Sequence, residues 1–197
     1  GGMGAVCPNP EIGDRMRETI ERQILVPTLH GLNREGRRFH GVLFAGLIMT
    51  SGGPKVLEYN VRFGDPECQV LMLRLGAQAF DLIQAAAEGR LAEARVNWAD
   101  DHAMTVVMAA NGYPGAYDKG SVIGGLDALP EDSFHVTFHA GTSEHDGQVV
   151  ATGGRVLNVT ARGATLAEAR DRAYDMVDRI DWPEGFCRRD IGWRALS

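Results

Sequence analysis

Apolar residues recur at helical spacing in two stretches of the chain. In residues 10–35 they return about every four positions, at Ile12, Met16, Ile20 and Ile24. This predicts an amphipathic helix with Pro10 in its first turn and a break near Pro27. Further along, Thr165 and Glu168 have capping-box spacing before a second helix. Its apolar face is predicted to consist of Leu166, Ala169, Ala173, Met176, Val177 and Ile180.

Strand-like runs occupy much of the remaining sequence. Residues 41–50 and 55–62 are separated by the turn residues 51–53, so they are predicted to form a hairpin. Helices are predicted over residues 66–75 and 77–88, with Asp65 as cap, Pro66 in the first turn and Gly89 ending the second helix.

The polar segment 91–101 predicts a boundary, because the sequence beyond it has a different pattern. Strands are predicted at 102–110, 134–139, 148–152 and 156–160, and the last two are expected to pair as a hairpin through Gly153-Gly154-Arg155. An antiparallel sheet backed by the helix after Thr165 makes this half α+β. The predicted domains are residues 1–92 and 93–197.

Composition narrows the function. A chain of 197 residues with a net charge of −6 lacks the excess of basic residues that nucleic-acid binding needs. Its three cysteines are far apart, and its apolar runs are shorter than a membrane span, so neither a disulfide framework, a zinc site nor a membrane role is expected. We expect a cytoplasmic protein that binds small molecules.

One strand carries the chemistry. Along residues 55–62, Glu58, Asn60 and Arg62 alternate with Leu57, Tyr59 and Val61, which are expected to point into the opposite layer. The carboxylate and the amide oxygen suit a shared Mg²⁺, and the guanidinium suits a phosphoryl oxygen. The helix start at Asp65 would add backbone N–H groups and a second carboxylate. A polar, solvent-facing strand would show the same alternation.

The continuation of this strand distinguishes these alternatives. Residues 55–69, KVLEYNVRFGDPECQ, resemble phosphoribosylamine-glycine ligases of the ATP-grasp superfamily. So do GGMGA at 1–5, GVLFAGL at 41–47, GYPG at 112–115, HAGT at 139–142, GGRVL at 153–157 and RDIGWRA at 189–195, in the same order. The resemblance implies the C-terminal half of such an enzyme: the last part of an ATP-grasp core, with an antiparallel sheet and helices, followed by a small domain of antiparallel sheet plus helix. The N-terminal half, with most of the ATP pocket, is expected to be absent.

The resemblance also implies roles for individual residues. The family joins glycine to 5-phosphoribosylamine through a glycyl phosphate, using ATP and Mg²⁺ or Mn²⁺. By this resemblance Glu58 and Asn60 are metal ligands, Arg62 stabilises the acyl phosphate, and Asp65 meets the glycine ammonium or positions the amine. Substrate contacts are also expected at Gly2, Met3, Gly4 and Gly64.

Several assignments stay open at this stage. The Gly2–Gly4 segment suits a tight turn before the helix as well as a ligand contact, and residues 153–155 suit either a hairpin turn or a ligand contact. Local bonding is favoured for His139 and Thr142, and a buried, inert thiol for Cys68 and Cys187. Another ATP-grasp carboxylate-amine ligase and a non-catalytic folded fragment are the alternatives. A monomer or weak homodimer is expected.

Overall fold

The computed structural model describes residues 2–196, and these form two compact units. Unit 1 comprises the described residues of Gly1–Pro8, Asp65–Gly76 and Trp98–Ser197; unit 2 comprises Asn9–Gly64 and Ala77–Asn97. Each unit therefore combines segments that are separated in sequence.

Helices and antiparallel strands make up both units, which agrees with the predicted α+β class. The strands are β1 (Gly4–Cys7), β2 (Phe44–Thr50), β3 (Gly53–Asn60), β4 (His102–Ala110), β5 (His135–His139), β6 (Thr142–His145), β7 (Gln148–Ala151), β8 (Arg155–Gly163) and β9 (Gly185–Cys187). The α-helices are α1 (Asp14–Ile20), α2 (Val26–Arg34), α3 (Glu67–Leu75), α4 (Gln78–Ala87), α5 (Leu166–Val177) and α6 (Trp193–Leu196). Among the described residues, no single helix is long and apolar enough to cross a membrane; α3 and α4 reach that length and composition only when taken together.

The first helical stretch of unit 2 starts later than predicted. Gly13, not Pro10, precedes α1, and its carbonyl accepts the first helical N–H groups. The predicted break near Pro27 is a π-helical segment, Glu21–Leu25, between α1 and α2. Because proline lacks an N–H and crowds the carbonyl four residues earlier, a local change in helix winding before Pro27 is the expected response.

Strands β2 and β3 form the predicted hairpin, with a bulge that decides which way its side chains point. Gly46 lies opposite Glu58, and Leu47 lies opposite Val56, so Leu57 is the extra residue. The strand ends at Asn60, two residues earlier than predicted. The expectation that Leu57 and Val61 pack into an opposite layer was wrong, because these side chains are 67% and 74% exposed. Leu57 is the extra residue of the bulge, and Val61 lies beyond the end of β3.

Unit 2 also contains α4, whose end confirms the predicted glycine cap. Gly89 has a φ of +72°, and the N–H groups of Gly89 and Arg90 donate to the carbonyls of Ala86 and Ala85. This is a Schellman motif, which satisfies carbonyls at the helix end that have no partner within the helix.

Unit 1 is built on a five-stranded sheet. The strand order is β1-β4-β8-β5. Strand β9 pairs with the same edge of β4 as β1 does, but further along it: β1 covers residues 103–106 and β9 covers residues 108–110. Short β1 was not predicted: residues 2–4 were left open between a tight turn and a ligand contact, but residues 4–7 pair in register, from Gly4 opposite Val106 to Cys7 opposite Ala103.

Helix α5 covers one face of this sheet. Thr165 Oγ1 accepts the N–H of Glu168, while the Glu168 carboxylate accepts the N–H of Ala164, so the predicted cap is confirmed. The helix buries its apolar face against β4 and β8, forming a core that includes Met104, Leu157, Val159, Ala173 and Met176.

Helix α3 lies on the opposite face, where polar groups are buried as well. The hydroxyls of Thr105 and Thr160 bond each other at 2.7 Å. Nearby, the Asp101 carboxylate, 16% exposed, pairs with Arg162 and lies 3.9 Å from Arg74 Nε. Arg74 on α3 is 9% exposed, so these ion pairs connect α3 to β8 in largely desolvated surroundings.

The predicted hairpin through residues 153–155 was wrong. Strand β7 pairs with β6 instead, and β8 pairs with β4 and β5. The two glycines serve close packing: a Cβ on Gly153 would lie 2.9 Å from the Cα of Gly141, and one on Gly154 would lie 2.4 Å from the Tyr113 ring. Glycine pairs between two strand-like runs are typical of hairpin turns, and this pattern hid a contact between distant segments.

Candidate functional site

The residues predicted to form the site belong to both compact units. Glu58, Asn60, Arg62 and Gly64 lie in unit 2, whereas Gly2, Met3, Gly4 and Asp65 lie in unit 1. The two sets are therefore described separately.

In unit 2, the end of β3 brings Glu58 and Asn60 together on one face. Asn60 Nδ2 donates to Glu58 Oε1 at 3.2 Å. The opposite residue is Gly46, where an added Cβ would lie 3.1 Å from Glu58 Cγ, so glycine leaves room for this side chain. The alternation predicted for this pair is thus present, and the bulge at Leu57 sets its direction.

This pair fits a hard cation. The hydrogen bond leaves Asn60 Oδ1 and Glu58 Oε2 as oxygen donors outside it, and such donors match Mg²⁺. Within residues 2–196, no three His, Cys, Asp or Glu side chains gather where they could hold a metal ion. An ion with few protein ligands, completed by waters and substrate phosphates, is the arrangement that Mg²⁺ favours.

Arg62 lies beyond the strand, so the pleat does not place it on the face of Glu58 and Asn60 as predicted. Its Nη1 donates to the neighbouring carbonyl of Phe63 at 2.7 Å. The side chain is exposed, and Gly64 two residues later is buried. A guanidinium with one local backbone bond has further N–H groups for an anion.

In unit 1, the segment Gly2–Gly4 leads into β1. The Met3 carbonyl accepts the N–H of Val107, and Gly4 begins the pairing with β4. A Cβ on Gly4 would lie 2.6 Å from Ile191 Cγ2 and 2.7 Å from the Thr105 carbonyl oxygen. Packing alone therefore requires glycine at this position, whether or not Gly4 also contacts a ligand.

Asp65 does not cap α3 as predicted. The helix begins at Glu67, and its N-terminal cap is Pro66, without a side-chain bond. The Asp65 carboxylate instead lies 2.8 Å from Arg155 Nη2 and accepts a long bond from Gln69 Nε2 at 3.4 Å. The carboxylate is held by Arg155 and Gln69, and no side chain caps the N–H groups at the start of α3.

The sequence did not determine the role of Arg155, which binds the Asp65 segment in the structure. Its Nη1 donates to the carbonyls of Asp65, at 3.0 Å, and Gly2, at 3.1 Å. The only sequence signal was its place in a motif shared with the family, because its partners are distant along the chain.

His139 and Thr142 make the local bond that was expected, whereas Cys68 and Cys187 are only partly buried rather than buried as predicted. His139 Nδ1 and Thr142 Oγ1 lie 3.0 Å apart, a local bond after β5. Burial raises the pKa of the Cys68 thiol, and the nearby Asp65 carboxylate raises it further. Burial also raises the pKa of Cys187. Thiols with raised pKa values are poor nucleophiles near neutral pH, which agrees with the inert role predicted for both.

Two sequence models of one family match this chain in consecutive order. Residues 1–68 match "Phosphoribosylglycinamide synthetase, ATP-grasp (A) domain", and residues 103–194 match "Phosphoribosylglycinamide synthetase, C domain". Individual relatives match over the whole chain. A phosphoribosylamine–glycine ligase of Mesorhizobium japonicum is 55% identical over 197 residues, and the chloroplastic one of Arabidopsis thaliana is 52% identical over 200 residues. The chain spans 46% and 38% of their lengths.

Solved structures agree with these matches. The crystal structure of phosphoribosylamine–glycine ligase from Thermotoga maritima is 35% identical, with a TM-score of 0.79 over 96% of this chain and 46% of that one. The biotin carboxylase domain of a 2-oxoglutarate carboxylase from Hydrogenobacter thermophilus shares the fold, with a TM-score of 0.64 at 13% identity over 94% of this chain and 40% of that one. The chain therefore belongs to the phosphoribosylglycinamide synthetase family and carries part of its ATP-grasp domain together with its C domain.

Proposed function

We propose that this chain is part of an ATP-dependent ligase that joins glycine to 5-phosphoribosylamine through a glycyl phosphate, giving glycinamide ribonucleotide, ADP and phosphate. The observation that carries the proposal is the 55% identity, over all 197 residues, to a protein named phosphoribosylamine–glycine ligase. The pairing of Glu58 with Asn60 on one strand face supports it from the structure. We place the reaction in purine biosynthesis and the protein in the cytoplasm.

Glu58 and Asn60 are the residues we assign to Mg²⁺, or to Mn²⁺ in its place. A divalent cation at this position would neutralise charge on ATP phosphates during phosphoryl transfer. The Glu58 carboxylate supplies a negative charge for the cation. Asn60 orients this carboxylate through the bond from its Nδ2, and its Oδ1 is a second oxygen ligand for the cation.

Arg62 and Asp65 are assigned to the reacting groups. The exposed guanidinium of Arg62 suits the acyl phosphate, because charge-assisted bonds to phosphoryl oxygens are stronger than neutral ones. The Asp65 carboxylate suits the glycine ammonium or the incoming amine. Backbone groups of Gly2, Met3, Gly4 and Gly64 would line the substrate site.

We propose that residues 1–92 belong to the ATP-grasp domain and residues 93–197 to the C domain; the family matches over residues 1–68 and 103–194 support this division. Because the chain spans about half the length of the relatives that it matches, we propose that turnover belongs to the full-length protein. We also propose that the full-length protein is a monomer or weak homodimer.

Glycine-dependent release of ADP tests the proposal. The full-length protein, given ATP, Mg²⁺ and 5-phosphoribosylamine, should release ADP only when glycine is present, and residues 1–197 alone should release none. A full-length protein that forms no glycinamide ribonucleotide would refute the proposed reaction. Turnover by residues 1–197 alone would instead refute the assignment of activity to the full-length protein.

A magnesium titration tests the metal ligands. In the full-length enzyme, Glu58→Gln should raise the Mg²⁺ concentration for half-maximal rate by about tenfold or more, because a charged ligand becomes neutral. Glu35→Gln is the matched control, since Glu35 is an exposed carboxylate of the same unit, 3.9 Å from Arg37. Near-normal turnover of Glu58→Gln at every Mg²⁺ concentration would rule out the assignment.

A further inference from the structure

Arg155 is turned onto the α3 side of its sheet by a β-bulge. Ala109 pairs with Arg155 and Met108 pairs with Leu157, so Val156 is an extra residue in β8. Without it, Arg155 would share the face of Leu157, which belongs to the core under α5. A bulge is a usual means of turning a side chain towards a functional site.

The backbone around Arg155 is fixed on both sides. Its carbonyl accepts the N–H of Gly141, and the Gly154 carbonyl accepts the N–H of Ala110. A Cβ on Gly153 or Gly154 would collide with Gly141 or Tyr113. The guanidinium therefore extends from a rigid strand start, which favours a single orientation.

The guanidinium connects two segments that carry proposed substrate contacts. Nη2 lies 2.8 Å from Asp65 Oδ2, while Nη1 donates to the carbonyls of Asp65 and Gly2. The side chain is only 21% exposed, so water competes weakly for these bonds. Both terminal nitrogens are engaged by protein atoms, which makes Arg155 a poor direct ligand for substrate.

We propose that Arg155 is a positioning residue, which holds the Asp65 carboxylate and the Gly2 backbone in the orientation that receives the glycine substrate. The inference rests on the proposed ligase function and extends it to a residue outside the predicted site. Nη2 engages Oδ2, so the other carboxylate oxygen, Oδ1, has only the long bond from Gln69 among the described residues.

Steady-state kinetics of the full-length enzyme test the inference. Arg155→Met should raise the KM for glycine about tenfold or more and leave the KM for ATP within about twofold, because the lost bonds orient only the glycine contacts. Arg155→Lys keeps the charge but cannot bond the carboxylate and both carbonyls at once, so it should fall between the wild type and Arg155→Met. Arg179→Met, which removes an exposed arginine paired with Asp175, is the matched control and should change neither KM.

A double-mutant cycle separates positioning from a merely structural role. If Arg155 acts mainly through Asp65, Arg155→Met should raise the glycine KM of Asp65→Asn by much less than the roughly tenfold expected in the wild type, the remainder reflecting its bond to the Gly2 carbonyl. Independent effects that multiply, or an unchanged glycine KM in both Arg155 variants, would overturn the inference. Equal rises in the KM values for glycine and ATP in Arg155→Lys would also overturn it. If the wild type itself lacks glycine-dependent turnover, the proposed function has failed instead.

Discussion

Replacing Gly4 by alanine distinguishes a packing requirement from a ligand requirement. The new Cβ would lie 2.7 Å from the Thr105 carbonyl oxygen, whereas ordinary van der Waals contact begins at 3.4 Å. It would also lie 2.6 Å from Ile191 Cγ2. Because a backbone atom on the central strand cannot rotate away as a side chain does, β1 must shift relative to β4.

The expected cost follows from this overpacking. Forcing an extra methyl group into a packed position costs about 1–3 kcal/mol. For a unit of about 120 residues, each kcal/mol lowers the melting temperature by about 4 °C. Gly4→Ala should therefore lower the melting temperature of unit 1 in the full-length enzyme by several degrees.

Thermal unfolding followed by tryptophan fluorescence is the assay, since Trp182 is buried in the core of unit 1. Gly2→Ala is the control: beyond its chain neighbours, the nearest atom to its Cβ would be Pro66 Cδ at 3.3 Å, so it should shift the melting temperature much less. A Gly4→Ala enzyme that melts like the wild type but has a raised KM for glycine would refute the packing argument. It would show that the ligand, not Ile191 and Thr105, requires glycine.

Three further predictions concern stability and thiol chemistry. Asp101→Asn should lower the free energy of unfolding by about 2–4 kcal/mol in urea titrations, because two largely buried arginines lose their counter-charge; a loss below 0.5 kcal/mol, on the order of an exposed pair, would contradict this. Gly89→Ala should destabilise unit 2 by about 1 kcal/mol because of its φ of +72°, whereas Gly31→Ala, inside α2 with nothing within 4 Å of its Cβ, should stabilise it by about 0.5–1 kcal/mol. Equal shifts in thermal melts would contradict the backbone argument. Because the pKa of Cys68 is raised, its thiol stays neutral at pH values where a free cysteine is partly ionised, so iodoacetamide should alkylate it more slowly than free cysteine at pH 8. Mass spectrometry of the labelled peptide measures this rate, and alkylation as fast as that of free cysteine would contradict the raised pKa.

The features predicted from the sequence were those governed by neighbouring residues. The Thr165 cap, the Gly89 helix end and the β2–β3 hairpin each depend on a few consecutive side chains. The same is true of the Glu58 and Asn60 pair, because alternation along a strand is a local property. The family resemblance was carried by motifs, and the two matched domains confirmed it.

The features that were missed depend on distant partners. Strand β1 is too short to have a pattern of its own and exists because β4 pairs with it. Gly153 and Gly154 have the composition of a turn, but they accommodate Gly141 and Tyr113. Asp65 was expected to cap α3, yet Arg155, far along the chain, holds its carboxylate. Local rules cannot anticipate these outcomes, since the deciding partner lies in another segment.

The shared edge of β4 has a consequence for the order in which the protein is made. Strand β1 leaves the ribosome long before β4, and β9, which pairs with the same edge, follows only after β5 to β8 and α5. Until β4 emerges, residues 4–7 have no strand partner, and the second half of the β4 edge stays open until residues 185–187 follow. Contacts between such distant segments close slowly, because the intervening chain must first be ordered. Completion of unit 1 is therefore expected to wait for residues 185–187, whereas the β2–β3 hairpin can form as soon as it is synthesised.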